Sequence, residues 1–333
     1  MANLYLTEQG SVLRKKGERL IVEKDEQVLL DVECHKIDAV LIFGNVQFTT
    51  QAVHELFEQG IELAILTKTG KLIGQITSPT TKNIELRVKQ FKKYEDPDFK
   101  LSFSKSIVKG KIRNSLQMLR SFSYNHPDVN LKEQMEALEK EQNSIFHQNS
   151  IEGLNGVEGI AAKNYFNGFG KMILGDFNFS GRRKHPAPDP VNALLSLGYT
   201  MVFNEISSLL DGMGFDPYLG YYHKVDYGRP SLASDLLEEF RTPVADRITL
   251  RLINNRVLKI EDFYNNPQGE GVYLIREAMK KYFAEYEDFI NHEFIHPETK
   301  QKTSFRKCFR IQIEKLPAII NGLKEYSPFL LEI

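Results

Sequence analysis

The chain has few cysteines, and this scarcity excludes two kinds of site. Its 333 residues include only Cys34 and Cys308, which are far apart and form no CxxC pattern. A disulfide framework needs several paired cysteines, and a zinc-thiolate site needs closely spaced ones, so neither is expected. Two isolated cysteines fit a reducing compartment, and the sequence therefore predicts a cytoplasmic protein.

An excess of charge and long apolar runs are also missing. Lys and Arg total 43 against 44 Asp and Glu, a formal net charge of -1. The global basic signal of a small DNA-binding module is therefore absent, and a polyanion would need a local cluster of positive charge. No run approaches the roughly 18 apolar residues of a membrane span, and the opening MANLYLTEQG lacks the apolar segment of a secretion signal. The sequence predicts a protein without membrane association.

No GxSxG elbow is present, so a serine hydrolase triad is disfavoured. The first 90 residues hold no clustered nucleophile, metal ligand or glycine-rich loop. They read instead as short β-branched or alternating segments separated by turns, with one helix from about Thr50 to Gln59. The predicted strands are Leu4 to Leu6, Ser11 to Arg14, Arg19 to Val22, Gln27 to Val32, Ala39 to Phe43, Leu63 to Thr67 and Leu72 to Ile76.

Beyond the polar segment from Ser78 to Lys93, helical periodicity dominates from about Leu101 onward. We place the domain boundary near residue 90. The sequence thus predicts an α+β protein, with a β-strand-rich domain at residues 1–90 and a larger all-α domain at residues 91–333.

One acidic helix is predicted within Tyr221 to Arg241, shortly after a histidine, His223. Ser231 is placed to cap it, and Thr242-Pro243 to end it by starting a new helix. At about 100° per residue, three carboxylates fall on one side: Asp235, Glu238 and Glu239. This face either points at solvent or holds carboxylates toward the imidazole.

A second acidic element lies between Leu154 and Phe166. On a helix, Glu158 shares a stripe with Ala161, Ala162 and Tyr165, an unusual neighbourhood for a surface glutamate. Gly159 costs about 1 kcal/mol of helix stability relative to alanine, which would make sense if another group approaches closely. An exposed glutamate beside a packed helix contact explains the same pattern, and Tyr165 fits a core position as well as a role beside Glu158 or DNA.

A basic loop lies between the two acidic elements. Arg182, Arg183 and Lys184 concentrate three positive charges before Asp189-Pro190 opens an apolar helix, and His185 is interpreted as structural. Such a cluster suits phosphate oxygens, although a solvated loop has the same composition.

Two glutamates and a histidine suit a hard divalent cation. Mg²⁺ and Mn²⁺ prefer oxygen ligands, and Mn²⁺ accepts an imidazole readily. With positions left for water and a phosphate, such a site supports attack on a phosphodiester. Zinc stays open, although no cysteine pattern favours it. Paired carboxylates also fit glycoside hydrolysis, which would leave His223 and the basic loop without a role.

Four motifs follow one another in a specific order: VEGIAA with Tyr165-Phe166, GRRK with DPVNALLS and Tyr199, then His223, then SLASDLLEEFR. Together they resemble the CRISPR-associated protein 1 family, the integrases of CRISPR adaptation. The opening Leu4-Tyr5-Leu6 with Gln9-Gly10 and the segment Leu63 to Gly74 are also similar to the N-terminal domain of that family. The resemblance covers nearly the whole chain.

This resemblance implies an N-terminal β domain that forms a homodimer and a larger helical catalytic domain. It implies a metal-dependent DNA endonuclease and integrase that acts with CRISPR-associated protein 2 on double-stranded protospacer and repeat DNA. By the family pattern, Mg²⁺ or Mn²⁺ is held by Glu158, His223 and Glu238, with Asp235 in support. Many relatives carry aspartate at the position of Glu238, so the metal preference and the ligand geometry stay open.

Arg182, Lys184 and Arg241 are the predicted phosphate contacts, although Arg247 and Arg251 would serve as well. Two other functions remain open. One is a non-catalytic DNA-binding scaffold, in which the acids form ion pairs with Arg241 and its neighbours. The other is an unrelated metal phosphoesterase of small substrates.

Overall fold

The computed structural model describes residues 2–68, 70, 72–76, 83–183, 186–266 and 271–332. The chain forms two compact units. Unit 1 is Met1–Thr80 with Arg276–Glu287, and unit 2 is Thr81–Ile275 with Asp288–Ile333. A strand-rich N-terminal region followed by a helical region confirms the predicted α+β class. The domain boundary near residue 90 stays a prediction.

The described residues of unit 1 form two four-stranded sheets, one α-helix of the N-terminal region, and most of a later helix that begins at Arg276. Its elements are β1 (Ala2–Leu6), β2 (Val12–Lys16), β3 (Arg19–Lys24), β4 (Gln27–Glu33), β5 (Ile37–Phe43), β6 (Gln47–Phe48), α1 (Thr50–Glu58), β7 (Glu62–Leu66) and β8 (Leu72–Ile76). The sheet orders are β1-β5-β7-β8 and β4-β3-β2-β6, with β1, β5 and β7 parallel. Each predicted strand corresponds to an observed one, whereas two-residue β6 was not predicted.

The core of unit 1 follows from the alternation of its strands. Leu13, Leu20, Val40 and Leu56 are fully buried between the sheets and α1. Thr49 caps α1 by accepting a hydrogen bond from the Ala52 amide at 3.3 Å, which satisfies one of the unpaired donors of the first turn. The loop residues Thr69 and Lys71, predicted in the β7–β8 turn, lie outside the described residues.

Unit 2 is mainly helical. Its helices are α2 (Ile84–Tyr94), α3 (Pro97–Asn125), α4 (Lys132–Ser144), α5 (Ile151–Lys171), α6 (Pro190–Gly212), α7 (Ser231–Phe240), α8 (Arg247–Asn254), the end of α9 (Arg276–Asn291) and α10 (Phe305–Ile320). Two short antiparallel hairpins accompany them: β9 (Phe263–Asn265) with β10 (Val272–Leu274), and β11 (Phe294–Ile295) with β12 (Lys302–Thr303). Helix α3 packs against α4, α5 and α7, and α6 packs against α7.

Among the described helices, α6 alone is long and apolar enough, by length and composition, to cross a membrane. In the structure, 61% of its most apolar 18-residue window is buried among other parts of the chain. That burial is typical of the central helix of a soluble protein.

Residues 292–296 spell HExxH, the sequence of many zinc sites, which the sequence reasoning overlooked. Such a motif binds zinc when both histidines lie on one helix face. Here α9 has already ended at Asn291, and Phe294–Ile295 is strand β11. Buried His296 accepts hydrogen bonds at Nδ1 from the amides of Glu298 and Thr299. The match is therefore a structural turn rather than a zinc site.

Candidate metal centre

Helix α5 presents Glu158 to the interior of unit 2. Ser150 begins the helix by accepting from the Gly153 amide at 3.1 Å. The Glu158 side chain is 23% exposed and lines a cavity with Ala161 and Tyr165, as its predicted stripe requires. Gly159 is exposed, and an added Cβ would meet nothing within 4 Å, so no described part of this chain approaches the glycine closely.

Helix α7 carries the second carboxylate, and all ten of its residues are buried. Ser231 does not cap it, which corrects the prediction. Its hydroxyl instead donates to the Tyr218 carbonyl and accepts from the Gly220 amide at 2.8 Å. A Cβ on Gly220 would lie 2.5 Å from the Ser231 carbonyl carbon, so only glycine lets this loop lie against the start of α7.

Asp235 holds the loop that carries His223. Its carboxylate is fully buried and accepts from three consecutive backbone amides, those of Tyr221 at 2.7 Å, Tyr222 at 3.0 Å and His223 at 2.8 Å. The same carboxylate contacts Nδ1 of His223 at 2.8 Å. Asp235 therefore positions His223 and does not itself line the cavity.

The structure brings Glu158, His223 and Glu238 together around one cavity. Nε2 of His223 lies 3.6 Å from Oε1 of Glu238. Lys111, on α3, forms ion pairs with both glutamates and lies 2.6 Å from Oε2 of Glu238. Arg241 approaches Oε1 of Glu238 with its Nε at 3.1 Å. The three predicted ligands thus share a site that also contains two cations.

These charges decide the protonation of the cluster. Burial alone would raise the pKa of Glu238, but Arg241 and Lys111, with His223, outweigh it and hold that pKa far below the usual range. Burial alone would lower the pKa of Lys111, but Glu238 and Glu158 outweigh it and raise that pKa. Glu238 is therefore a carboxylate and Lys111 an ammonium at neutral pH.

In the part of the chain that the structure describes, no three His, Cys, Asp or Glu side chains are grouped closely enough to hold a metal as they stand. The Lys111 ammonium lies between the two glutamates and takes one oxygen of each. The ammonium therefore occupies the space between the two carboxylates and reduces the repulsion between them.

Glu239 does not join this cluster, contrary to the predicted shared face. Its carboxylate accepts from the Phe329 amide at 2.5 Å, from Nε2 of Gln312 at 2.8 Å and from the Tyr326 hydroxyl. Burial raises the pKa of Glu239 to about 7. Glu239 therefore anchors residues 326–329 to α7.

Helix α7 does not stop at Thr242-Pro243 as predicted. It continues through a π-helical segment, Arg241–Asp246, directly into α8. Proline has no amide hydrogen to donate, and π turns accommodate such breaks in the hydrogen-bond ladder, often at functional sites. The segment directs Arg241, Thr242 and Asp246 to the same cavity.

Two arginines contact the ring of Tyr199. The guanidinium carbons of Arg182 and Arg241 lie 5.1 and 4.5 Å from its centroid. Arg182 also donates to Oδ1 of Asn192 at 2.9 Å and to Oγ of Ser196 at 3.1 Å. Two of the three predicted phosphate contacts, Arg182 and Arg241, therefore line the cavity, held by α6 and the π-helical segment. Lys184 and His185 lie outside the described residues.

Behind this wall, Asp246 accepts from two tyrosine hydroxyls, at 2.8 Å from Tyr165 and at 2.6 Å from Tyr199. All three side chains are buried. Tyr165 is thus a core residue that supports the cavity floor. Arg247 lies over Phe289 and Phe305, and Arg251 pairs with Asp288, so neither lines the cavity.

The cavity has a volume of about 560 Å³, with carboxylates and arginines among its lining groups. Sequence reasoning missed Lys111 and Asp246. The sequence did contain a signal for Lys111. This residue follows Ile107 by four positions and precedes Ser115 by four, so it falls on the buried stripe of α3. A lone charge on such a stripe is unusual.

Comparisons with known proteins agree with this fold. Residues 4–288 match the family described as "CRISPR associated protein Cas1". "CRISPR-associated endonuclease Cas1 3" of Thermus thermophilus is 36% identical over 330 residues, covering 98% of this chain and 96% of its own. Two solved structures are similar as well. A "Casposase bound to integration product" has a TM-score of 0.87 at 22% identity, over 99% of this chain and 93% of that one.

A chain of a "Cas6-RT-Cas1--Cas2 complex" has a TM-score of 0.83 at 26% identity. It is matched by 99% of this chain over 36% of its own length. The resemblance inferred from the motifs is confirmed, and the chain belongs to the CRISPR-associated protein Cas1 family.

Proposed function

We propose that this chain is a metal-dependent DNA endonuclease and integrase of CRISPR adaptation. It joins protospacer DNA 3′ ends to the CRISPR repeat by phosphodiester transesterification. The observation that carries the proposal is the convergence of Glu158, His223 and Glu238, from three separate segments, on a cavity that three arginines also line. The endonuclease name of the Thermus relative supports the same class of reaction.

The side chains fit a divalent cation. The Lys111 ammonium already bridges Glu158 and Glu238, so positive charge is favourable between them. Nε2 of His223 faces the carboxylate of Glu238. Two carboxylates and an imidazole suit Mg²⁺ or Mn²⁺, and these three residues would hold it. When bound, such an ion polarises a phosphate, lowers the pKa of the nucleophile and stabilises the leaving oxygen.

The other residues bind and orient. Asp235 keeps the His223 ring in place and fixes its proton on Nδ1. Arg182 and Arg241 contact phosphate oxygens of DNA, with Tyr199 holding both guanidinium groups. A 3′ hydroxyl that attacks a repeat phosphodiester gives strand transfer, whereas water in its place gives nuclease activity.

The protein acts in the cytoplasm as a homodimer with CRISPR-associated protein 2. In this proposal residues 1–90 form the dimerisation domain and residues 91–333 the catalytic domain. The similarity to a chain of a Cas1–Cas2 complex supports this partner.

A strand-transfer assay tests the proposal. The protein, with and without CRISPR-associated protein 2, is mixed with a repeat-containing duplex and labelled protospacer DNA. We expect a longer labelled strand in Mn²⁺ and none in excess chelator. A 3′-dideoxy protospacer, which lacks the nucleophile, serves as the control. Product that forms equally in chelator would contradict the metal-dependent mechanism.

One observation favours a second function, a non-catalytic DNA-binding scaffold. The glutamates are paired with Lys111 and Arg241, as structural ion pairs would be. This alternative predicts no strand transfer and DNA affinity that is indifferent to both Mn²⁺ and chelator, measured by fluorescence anisotropy.

A further inference from the structure

Lys111 occupies the centre of the acidic cluster. It comes from α3, a helix that supplies no other charged group to the two glutamates. Its side chain is 18% exposed, and its ammonium pairs with both Glu158 and Glu238. Lys111 lies in none of the four motifs that carry the resemblance and is not among the predicted ligands.

The two glutamates need a positive charge between them. They lie on different helices, α5 and α7, and both approach one ammonium. Two carboxylates that both contact one ammonium lie close enough to repel each other. Without a cation, this repulsion would push the carboxylates apart or protonate one of them.

Two cations in the space between Glu158 and Glu238 repel each other, so that space favours one cation at a time. Lys111 takes Oε1 of Glu158 and Oε2 of Glu238, whereas Arg241 and His223 approach Oε1 of Glu238. A divalent ion bound between the two glutamates would therefore displace the ammonium. Lys111 and the metal then compete, and each weakens the binding of the other.

We propose that Lys111 is a positioning residue that holds Glu158 and Glu238 in place in the metal-free protein and gives up both carboxylates when the divalent cation binds. The displaced ammonium stays in the cavity, where phosphate oxygens of DNA are its available partners. Lys111 thus keeps the two carboxylates in position, but it lowers the affinity of the site for the divalent cation. This inference rests on the proposed function, because it assumes that the two glutamates hold the ion.

Removing the charge tests the inference. Lys111→Met keeps most of the length of the side chain without the ammonium, and Lys111→Arg keeps the charge. Lys105→Met is the matched control, because Lys105 lies on the same helix and donates to the Phe146 carbonyl, at 3.5 Å, rather than to an acidic residue of the cluster. Mn²⁺ affinity is measured by isothermal titration calorimetry without DNA, and the thermal midpoint is measured with and without Mn²⁺.

We expect Lys111→Met to lower the midpoint of the metal-free protein by a few degrees and to bind Mn²⁺ at least about tenfold more tightly. Its midpoint should also rise more on addition of Mn²⁺. Lys111→Arg should keep wild-type affinity within about threefold, and Lys105→Met should match the wild type in both measurements. If Lys111→Met does not fold, Lys111→Gln replaces it in the same titration.

Equal or weaker Mn²⁺ binding by the Lys111→Met protein would overturn the inference and leave a purely structural ion pair. If the variant gives that result while the wild type still transfers strands in Mn²⁺, the proposed function remains supported and only the inference about Lys111 fails. If neither protein binds Mn²⁺ and the wild type transfers no strands, both fail. Binding by the variant alone would support the competition.

Discussion

Nδ1 of His223 lies 2.8 Å from Oδ1 of Asp235. A carboxylate only accepts hydrogen bonds, so Nδ1 of the imidazole carries a proton, and Nε2 is the ring nitrogen that faces Glu238, at 3.6 Å. Three backbone amides hold the same carboxylate, which leaves Asp235 little freedom to move. The tautomer of the candidate ligand is thus set by a residue outside the cavity.

The first prediction concerns this pair. Asp235→Asn loses one acceptor and the charge, so the imidazole can adopt either tautomer. We expect strand transfer and Mn²⁺ affinity to fall by about 10- to 100-fold, the usual cost of losing a partner of a metal ligand. Activity and calorimetric titration measure both. Asp226→Asn, in the exposed loop that follows His223, is the control, and equal losses in the two variants would argue against the positioning role.

The second prediction concerns the glutamate of α5. Glu158→Gln keeps the size of the side chain but removes a charge from the proposed metal site, so we expect metal-dependent strand transfer to fall at least about 100-fold. Glu152→Gln is the control, because Glu152 is exposed in the first turn of the same helix. Circular dichroism monitors folding of both. Full activity of the Glu158→Gln protein would exclude this glutamate as a ligand.

The third prediction concerns the phosphate contacts. Arg182→Ala removes a cation from the cavity wall, so DNA affinity should fall about 3- to 10-fold at low salt and the salt dependence should weaken by about one unit of slope. Anisotropy titrations at several salt concentrations measure both quantities. Arg120→Ala removes a surface arginine that pairs with Glu139 and should change neither. Identical slopes for wild type and Arg182→Ala would remove Arg182 from the interface.

The fourth prediction is a pH dependence of stability. Burial raises the pKa of Glu239 from 4.5 to about 7. Between these values the unfolded chain has released this proton while the folded protein keeps it, so this group makes stability fall as pH rises from about 4.5 to 7. Above pH 7 the loss is complete.

Glu239→Gln removes this titration. We expect its thermal midpoint to depend less on pH between 5 and 8 than that of the wild type, with differential scanning calorimetry as the measurement. Glu325→Gln, an exposed acid near Tyr326, is the control and should follow the wild type. Parallel curves for the wild type and Glu239→Gln would show that Glu239 keeps an ordinary pKa.

The local sequence pattern was sufficient to predict most of the strands of unit 1. Strands such as β5 and β7 were predicted because their alternation and turns are encoded in neighbouring residues. Helix α2 was missed, since its segment is polar and buries only Leu86 and Gln90. Its existence depends on tertiary contacts, such as hydrogen bonds from Gln90 to the carbonyls of Asp216 and Leu219.

The candidate site shows the same limit. Periodicity gave Asp235, Glu238 and Glu239 similar angles on α7, but it could not reveal that this helix is buried on every side. Glu238 therefore meets His223, whereas Glu239 meets Phe329. Lys111 was missed for a related reason, because its role exists only where α3, α5 and α7 approach one another.

The π-helical segment Arg241–Asp246 makes the number of residues after Glu238 as important as their identity. A π turn holds one residue more than an α turn, so a single deletion here would restore regular winding. If all the present residues wound as a regular α-helix instead, everything downstream would be rotated by about 100° relative to α7. Asp246 would then lose the hydrogen bonds that it now accepts from the hydroxyls of Tyr165 and Tyr199. The π turn therefore keeps Asp246 in contact with Tyr165 and Tyr199, which support the cavity floor.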